Sequence, residues 1–171
     1  MAGLFFEEFE VGREYRHEWS RTVTETDTIL YTSLTMNPAP IHLDEHYMRT
    51  TLHGQRLVPS LYTAGLIGGM IVHDLTLGTT LGNLGYTKFD FPKPVFHGDT
   101  LRAESTILDK RESKSRTDSG IVYFEHRGIN QRGEVVHIAH RAGLMLRRDA
   151  AGPSNIDALV QSAESEAGAA G

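Results

Sequence analysis

The sequence predicts an α+β fold in which an antiparallel β-sheet wraps around one central α-helix. Two features carry that expectation. The stretch SLYTAGLIGGMIVHDL, from Ser60 to Leu75, is apolar all round and holds Gly65, Gly68 and Gly69, which reads as a helix covered on every side with neighbouring backbones close by. After it come four strand-like runs separated by the turn signals HGD, RTDSG and QRGE, and three long antiparallel strands linked by hairpins are expected there. A helix that is apolar all round must be covered, and an antiparallel sheet offers one apolar face to cover it.

The N-terminal MAGLFFEEFEVG carries acids where a secretory signal needs a basic flank and a longer apolar run, so a cytoplasmic location is expected by default. From Tyr15 to Val23, aromatic, polar and β-branched residues come in near alternation, which predicts a half-buried strand. Thr24 is a good N-cap, Asp27 follows three residues later, and Ile29, Leu30 and Leu34 supply an apolar side; a short helix should start near Thr24. From Asn37 to Pro59 the pattern is irregular and rich in His, Pro and Arg, an ordered loop with at most short helical turns. Loops that long are usually functional or disordered. From Asp149 the chain is small, polar and poor in aromatics. A domain over 1–148 is therefore expected to end in a flexible tail over 149–171, with a brief helix around Asp157 to Ser162.

At 171 residues one domain is the default. Hydrophobic residues make up 39% and charged residues 23%, the composition of a soluble globular protein. The net charge of -5 comes without a basic stripe, so no nucleic-acid partner is expected, and Ser60–Leu75 is too short and glycine-rich for a bilayer span, so no membrane partner either. The absence of cysteine excludes disulfides, thiolate metal ligands and a cysteine nucleophile.

The chemistry concentrates in NPAPIHLDEHY, Asn37 to Tyr47. His42 is a suitable proton carrier, because imidazole titrates near neutrality and can both accept and donate, and Pro38 and Pro40 stiffen the loop around it. The plainer alternative is a loop histidine hydrogen-bonded to backbone. Asn37 cannot take a proton, yet its amide can hold a water. Asp44 is either a turn or cap residue or a carboxylate that works with His42. His42 and His46 have a helical metal spacing but no third ligand is evident, so no metal is expected.

The order of a short helix, MNPAPIHLDEHYM, GQRLVPSLYTAGLI and PKPVFHGDTL resembles the MaoC-like hydratases and dehydratases over roughly Phe6 to Arg148. That family has a hot-dog fold and adds water to 2-enoyl-coenzyme A thioesters with (R) specificity. Its active-site histidine falls on His42, its proline on Pro40 and its aliphatic residue on Ile41, whereas its aspartate falls on Asn37 and its asparagine on Ala39. The resemblance implies that His42 is an acid and base of the reaction; since Asn37 stands where the family has its aspartate, Asn37 is read as positioning the water, the nearest carboxylates are Asp44 and Glu45, and His42 is taken as the principal acid and base with Asp44 orienting the loop or cooperating. The resemblance also implies that Pro40 and Ile41 border the substrate and that the Ser60 backbone N–H, at the start of the helix, stabilises the thioester oxygen. No cofactor is implied beyond the coenzyme A of the substrate, and a homodimer or higher homo-oligomer is.

Within the family, the asparagine, HLDEHYM and the run TTLGNLGYTKFDFPKPVFHGDTLRAES are most similar to the branch acting on branched C5 dicarboxylyl thioesters such as mesaconyl- or itaconyl-coenzyme A. A substrate carboxylate would want a cation, for which Arg49 and Arg56 are candidates; Arg127, Arg132 and Lys114 are candidates for the coenzyme A phosphates. Straight-chain enoyl-coenzyme A hydration is the nearest alternative. Thioester hydrolysis and a non-catalytic acyl-binding module are the others, and the first is disfavoured because the first acid in the central helix, Asp74, lies at its far end.

Overall fold

A computed structural model describes residues 3–150. Five strands, β1 (Glu14–Thr22), β2 (Thr80–Asp90), β3 (Thr100–Glu112), β4 (Ser119–Asn130) and β5 (Val135–Leu146), form one antiparallel sheet in the order β1-β3-β4-β5-β2. The helices are α1 (Glu25–Leu34), α2 (Pro40–Leu43), α3 (Glu45–Arg49) and α4 (Ser60–Met70), the last running on into a π-helical turn over Val72–Thr76. The sheet curves around α4, as expected. The expected tail helix at Asp157–Ser162 lies outside the described residues.

Local chemistry explains the elements. Thr24 caps α1 in extended conformation: its hydroxyl receives the Asp27 N–H while the Asp27 carboxylate receives the Thr24 N–H at 2.8 Å. Strands β3, β4 and β5 follow one another through short turns, the expected hairpins. Their inner positions pack Leu101, Ile107, Val122, Phe124, Val136 and Met145 against Ile67 and Leu75. Phe9 closes one end edge-on to Phe124, with ring centres 5.5 Å apart. Gly128 is required where α4 crosses β4, since a Cβ there would come within 2.8 Å of the Ile67 side chain.

One expectation needs correction. Helix α4 is not covered on every side: Thr63, Ile67 and Met70 are buried, but Leu61 is 61% exposed and Gly65, Gly69 and Val72 also face out. A sheet from one chain covers one side of a helix, and the other side of this one stays open. The run expected as a strand before HGD does form β2, but β2 is an edge strand with register shifts at three places, and its Leu81, Leu84, Tyr86 and Phe89 are exposed. Alternation in sequence does not tell an edge strand from an inner one.

Candidate active site

The loop from Asn37 to Pro59 is built by its own backbone. At the end of α1, Met36 takes the left-handed conformation (φ 52°), and Asn37 N–H returns to Thr32 O at 2.9 Å. Asn37 Oδ1 accepts the Ala39 N–H at 3.1 Å, an Asx turn that leads Pro40 into the first position of α2. This turn fixes the amide's orientation: Oδ1 is committed to the loop, and Nδ2 is the end left for a ligand. Pro40 and Ile41 lie exposed on α2.

His42, on the single turn α2, is 8% exposed. Its Nδ1 bonds the Leu57 carbonyl at 2.8 Å, and a carbonyl only accepts, so Nδ1 carries the proton and Nε2 is the basic nitrogen. No described residue bonds Nε2. Leu57 N–H in turn donates to Ile41 O at 2.9 Å, and Val58 N–H to Val95 O at 2.9 Å. The histidine is thereby strapped to the segment that enters α4 three residues later. That entry has Pro59 at the N-cap and no side-chain cap, so the first N–H groups, Ser60's among them, have no intrahelical acceptor. A cavity of about 200 Å³ opens there, lined by His53, Leu57, Ser60, Thr63, Phe91 and Lys93 among others. Leu57 therefore both orients His42 and walls this cavity.

The remaining candidates have other partners. The exposed Asp44 caps α3, its Oδ1 accepting the Tyr47 N–H at 2.8 Å. Arg56 does not offer the free cation expected of it: its side chain is 15% exposed and its guanidinium is bonded to Glu25 (2.7 Å) and Glu45 (3.0 Å), tying α1 to α3. Among the described residues Arg49 reaches only the same Glu45, at 3.6 Å, and its side chain is 71% exposed. Arg132 is held by Asp99 (2.7 Å) and Glu134 (2.8 Å) at the β4–β5 turn. Asp99 is buried, which alone would raise its pKa, but Arg132, the Phe96 N–H and Gln131 outweigh burial and hold it below 3.8. Asp74 bonds His17 (2.7 Å) and His73 (3.3 Å) rather than standing open on the helix.

Sequence reading passed over His53 and Lys93, which the fold brings to the α4 entry, and Arg141 on β5. Only Arg141 had a signal: in HIAHRAG it shares parity with His137 and Ala139, a cation at an inward position.

Residues 7–128 match the family described as MaoC like domain. The chain belongs to the MaoC-like family. This MaoC-like chain is 36% identical over 153 residues to a mesaconyl-CoA hydratase of Cereibacter sphaeroides, covering 90% of this chain and 44% of that protein. It superposes on a solved MaoC domain dehydratase from Chloroflexus aurantiacus with a TM-score of 0.81 and 32% identity, over 89% of this chain and 43% of the other. A Mycobacterium tuberculosis protein with a double hot-dog fold matches at a TM-score of 0.76 and 17% identity, over 88% and 46% of the two chains. The fold is the hot-dog fold. The chain spans less than half the length of these relatives.

Proposed function

We propose that this MaoC-like chain is a hydro-lyase that adds water across the 2,3 double bond of an enoyl-coenzyme A thioester, or removes it, with a short branched C5 dicarboxylyl thioester as preferred substrate. The observation that carries this reading is the fixed tautomer of His42. With Nδ1–H held by Leu57 O, Nε2 is ready to take a proton from water. The hydroxide so formed adds to C3, negative charge moves through C2 to the thioester oxygen, and the imidazolium returns its proton to C2. Water is thus divided into a hydroxyl at C3 and a hydrogen at C2, with His42 restored. The Ser60 N–H at the positive end of α4 is the donor for the charged oxygen. Asn37 Nδ2 is a donor that holds the water's oxygen, and Asp44 serves by capping α3.

The chemistry draws on side chains and a backbone N–H of the chain itself, and coenzyme A enters as part of the substrate. The similarity to a mesaconyl-CoA hydratase over 90% of the chain supports the dicarboxylyl choice; straight-chain enoyl-coenzyme A is the second candidate. Hydrolysis is disfavoured because Asp74, the first carboxylate along the chain after the start of α4, is engaged by two histidines. The open side of α4 and the exposed edge β2 support assembly with a second hot-dog unit, in a homodimer or larger homo-oligomer. A cytoplasmic location goes with the coenzyme A substrate. Among the described residues, no helix is long and apolar enough to cross a membrane.

The test is turnover of mesaconyl-, itaconyl- and crotonyl-coenzyme A by the wild type and by His42→Ala, following loss of the conjugated double bond and identifying the product. Hydroxyacyl product from a dicarboxylyl thioester supports the reading; release of free thiol alone would reassign the chain to hydrolysis.

A further inference from the structure

A row of polar groups crosses the inner face of the sheet beneath α4, and the chemistry at His42 does not use it. Arg141 Nε–H donates to His126 Nε2 (2.8 Å), His126 Nδ1–H to Ser105 Oγ (2.7 Å), the Ser105 hydroxyl to His17 Nε2 (2.9 Å), and His17 Nδ1–H to Asp74 Oδ2 (2.7 Å). The ends set the direction of every bond, because a guanidinium only donates and a carboxylate only accepts. Four strands contribute one residue each, and His17, Ser105 and His126 are buried. His126 is neutral, receiving at Nε2 and giving through Nδ1. Burial, seconded by the charge of Arg141, holds the His126 pKa well below 6.5. Such a row is tolerated between helix and sheet only when every member is bonded.

The row leaves Arg141 fixed but without a counter-ion. Its charge meets a neutral histidine, and the row's one carboxylate stands at the opposite end. Among the described residues, none pairs with it as an acid. Besides the bond to His126, the guanidinium lies 4.6 Å over the Phe124 ring, so its Nη groups are held in one place. It lines a cavity of about 200 Å³ between α4 and β2, with Leu61, Gly68, Tyr86, Phe89 and His137. Gly143 leaves space for it: a Cβ there would lie 3.2 Å from Nη1.

This cavity adjoins the one at the entry of α4. Its helical wall begins at Leu61, one residue beyond Ser60, and Phe91 of the first cavity stacks on His137 of the second at 4.8 Å. At a rise of about 1.5 Å per residue, the middle of its helical wall lies roughly 6–8 Å past the helix start. A four-carbon acyl backbone of about 5 Å held at the helix start by one hydrogen bond of about 3 Å therefore reaches into this cavity. Apolar walls around a single held cation suit a short carbon chain that ends in an anion.

We propose that Arg141 is a specificity-determining residue that receives the distal carboxylate of a dicarboxylyl thioester. The assignment rests on the hydratase reading above. It explains how the chain would recognise such a substrate although Arg56 is occupied by Glu25 and Glu45.

The experiment measures kcat and KM of wild type, Arg141→Met, Arg141→Lys and Gly143→Ala with mesaconyl- and crotonyl-coenzyme A, with circular dichroism and thermal melts to verify folding. Wild type comes first: use of crotonyl- but no dicarboxylyl thioester would overturn the substrate reading itself, whatever Arg141 does. Given dicarboxylyl turnover, Arg141→Met should lose about 100-fold in kcat/KM on mesaconyl-coenzyme A, mainly through KM, and keep its crotonyl activity. Arg141→Lys should fall between. Gly143→Ala keeps every residue of the row while pressing on the guanidinium and on the Phe124 ring beneath it, so it should raise KM for the dicarboxylyl substrate more than for crotonyl-coenzyme A, which keeps the test decisive if Arg141→Met fails to fold. Equal losses on both substrates, or no loss on either, would overturn the role of Arg141.

Discussion

A histidine and an aspartate two residues apart, His42 and Asp44, have different work in this loop. His42 is buried with one nitrogen committed to Leu57 O, whereas Asp44 is exposed with its carboxylate on the Tyr47 N–H. Asparagine caps a helix about as well as aspartate. Asp44→Asn should therefore keep kcat within about threefold and leave the pH profile unchanged, while Asp44→Ala should lower stability by about 1 kcal/mol. Steady-state rates across pH and urea melts measure both, and a hundredfold loss of kcat in a folded Asp44→Asn would make the carboxylate a reactant. Sequence pointed to His42 through its match to the family's histidine, with Pro38 and Pro40 stiffening the stretch around it. It could not choose between cap and catalyst for Asp44, since both call for a carboxylate at the same place. Nor could it see that Arg56 is occupied: Glu25 and Glu45 come to it from two different helices.

Elements with local causes were the legible ones. The Thr24 and Asp27 capping box starts α1 where the sequence puts it, and the hairpins of β3, β4 and β5 follow their turn residues. The row from Arg141 to Asp74 was not legible, because it forms only when four strands lie in register, as where Ser105 sits opposite His126. It has a consequence for stability. The folded pKa of His126 lies below 6.5, the ordinary value to which it returns on unfolding, so the unfolded chain takes up the proton more readily. Its contribution is whole above pH 6.5 and drains as pH falls below that value. Buried His137, whose pKa burial also lowers, acts in the same sense. Urea midpoints should therefore drop between pH 7.5 and 5.5, by at most about 1.4 kcal/mol per pH unit for each group. In His126→Gln the drop should shrink, though the variant is less stable throughout; an unchanged slope would remove His126 as its source.

At the scale of the whole molecule, one chain leaves much apolar surface open. Leu61 on α4 and Leu81, Leu84 and Tyr86 on the edge strand are each close to half exposed or more, and β2 offers unpaired backbone along its free side. Light scattering should give about twice the 19.0 kDa of the chain or more, and Leu84→Glu should move the population toward monomer. A monomeric wild type at micromolar concentration would contradict the assembly. The sequence predicted the helix's apolar character, but one chain cannot show which side a second unit covers. The hydration proposed for this chain turns on His42, fixed by Leu57 O at the entry of α4. The most direct measurement is enoyl-thioester turnover by wild type against His42→Ala. Wild type should form the hydroxyacyl product, and the folded variant should lose about 100-fold or more in kcat. A folded His42→Ala that turns over at the wild-type rate would take the proton transfer away from His42.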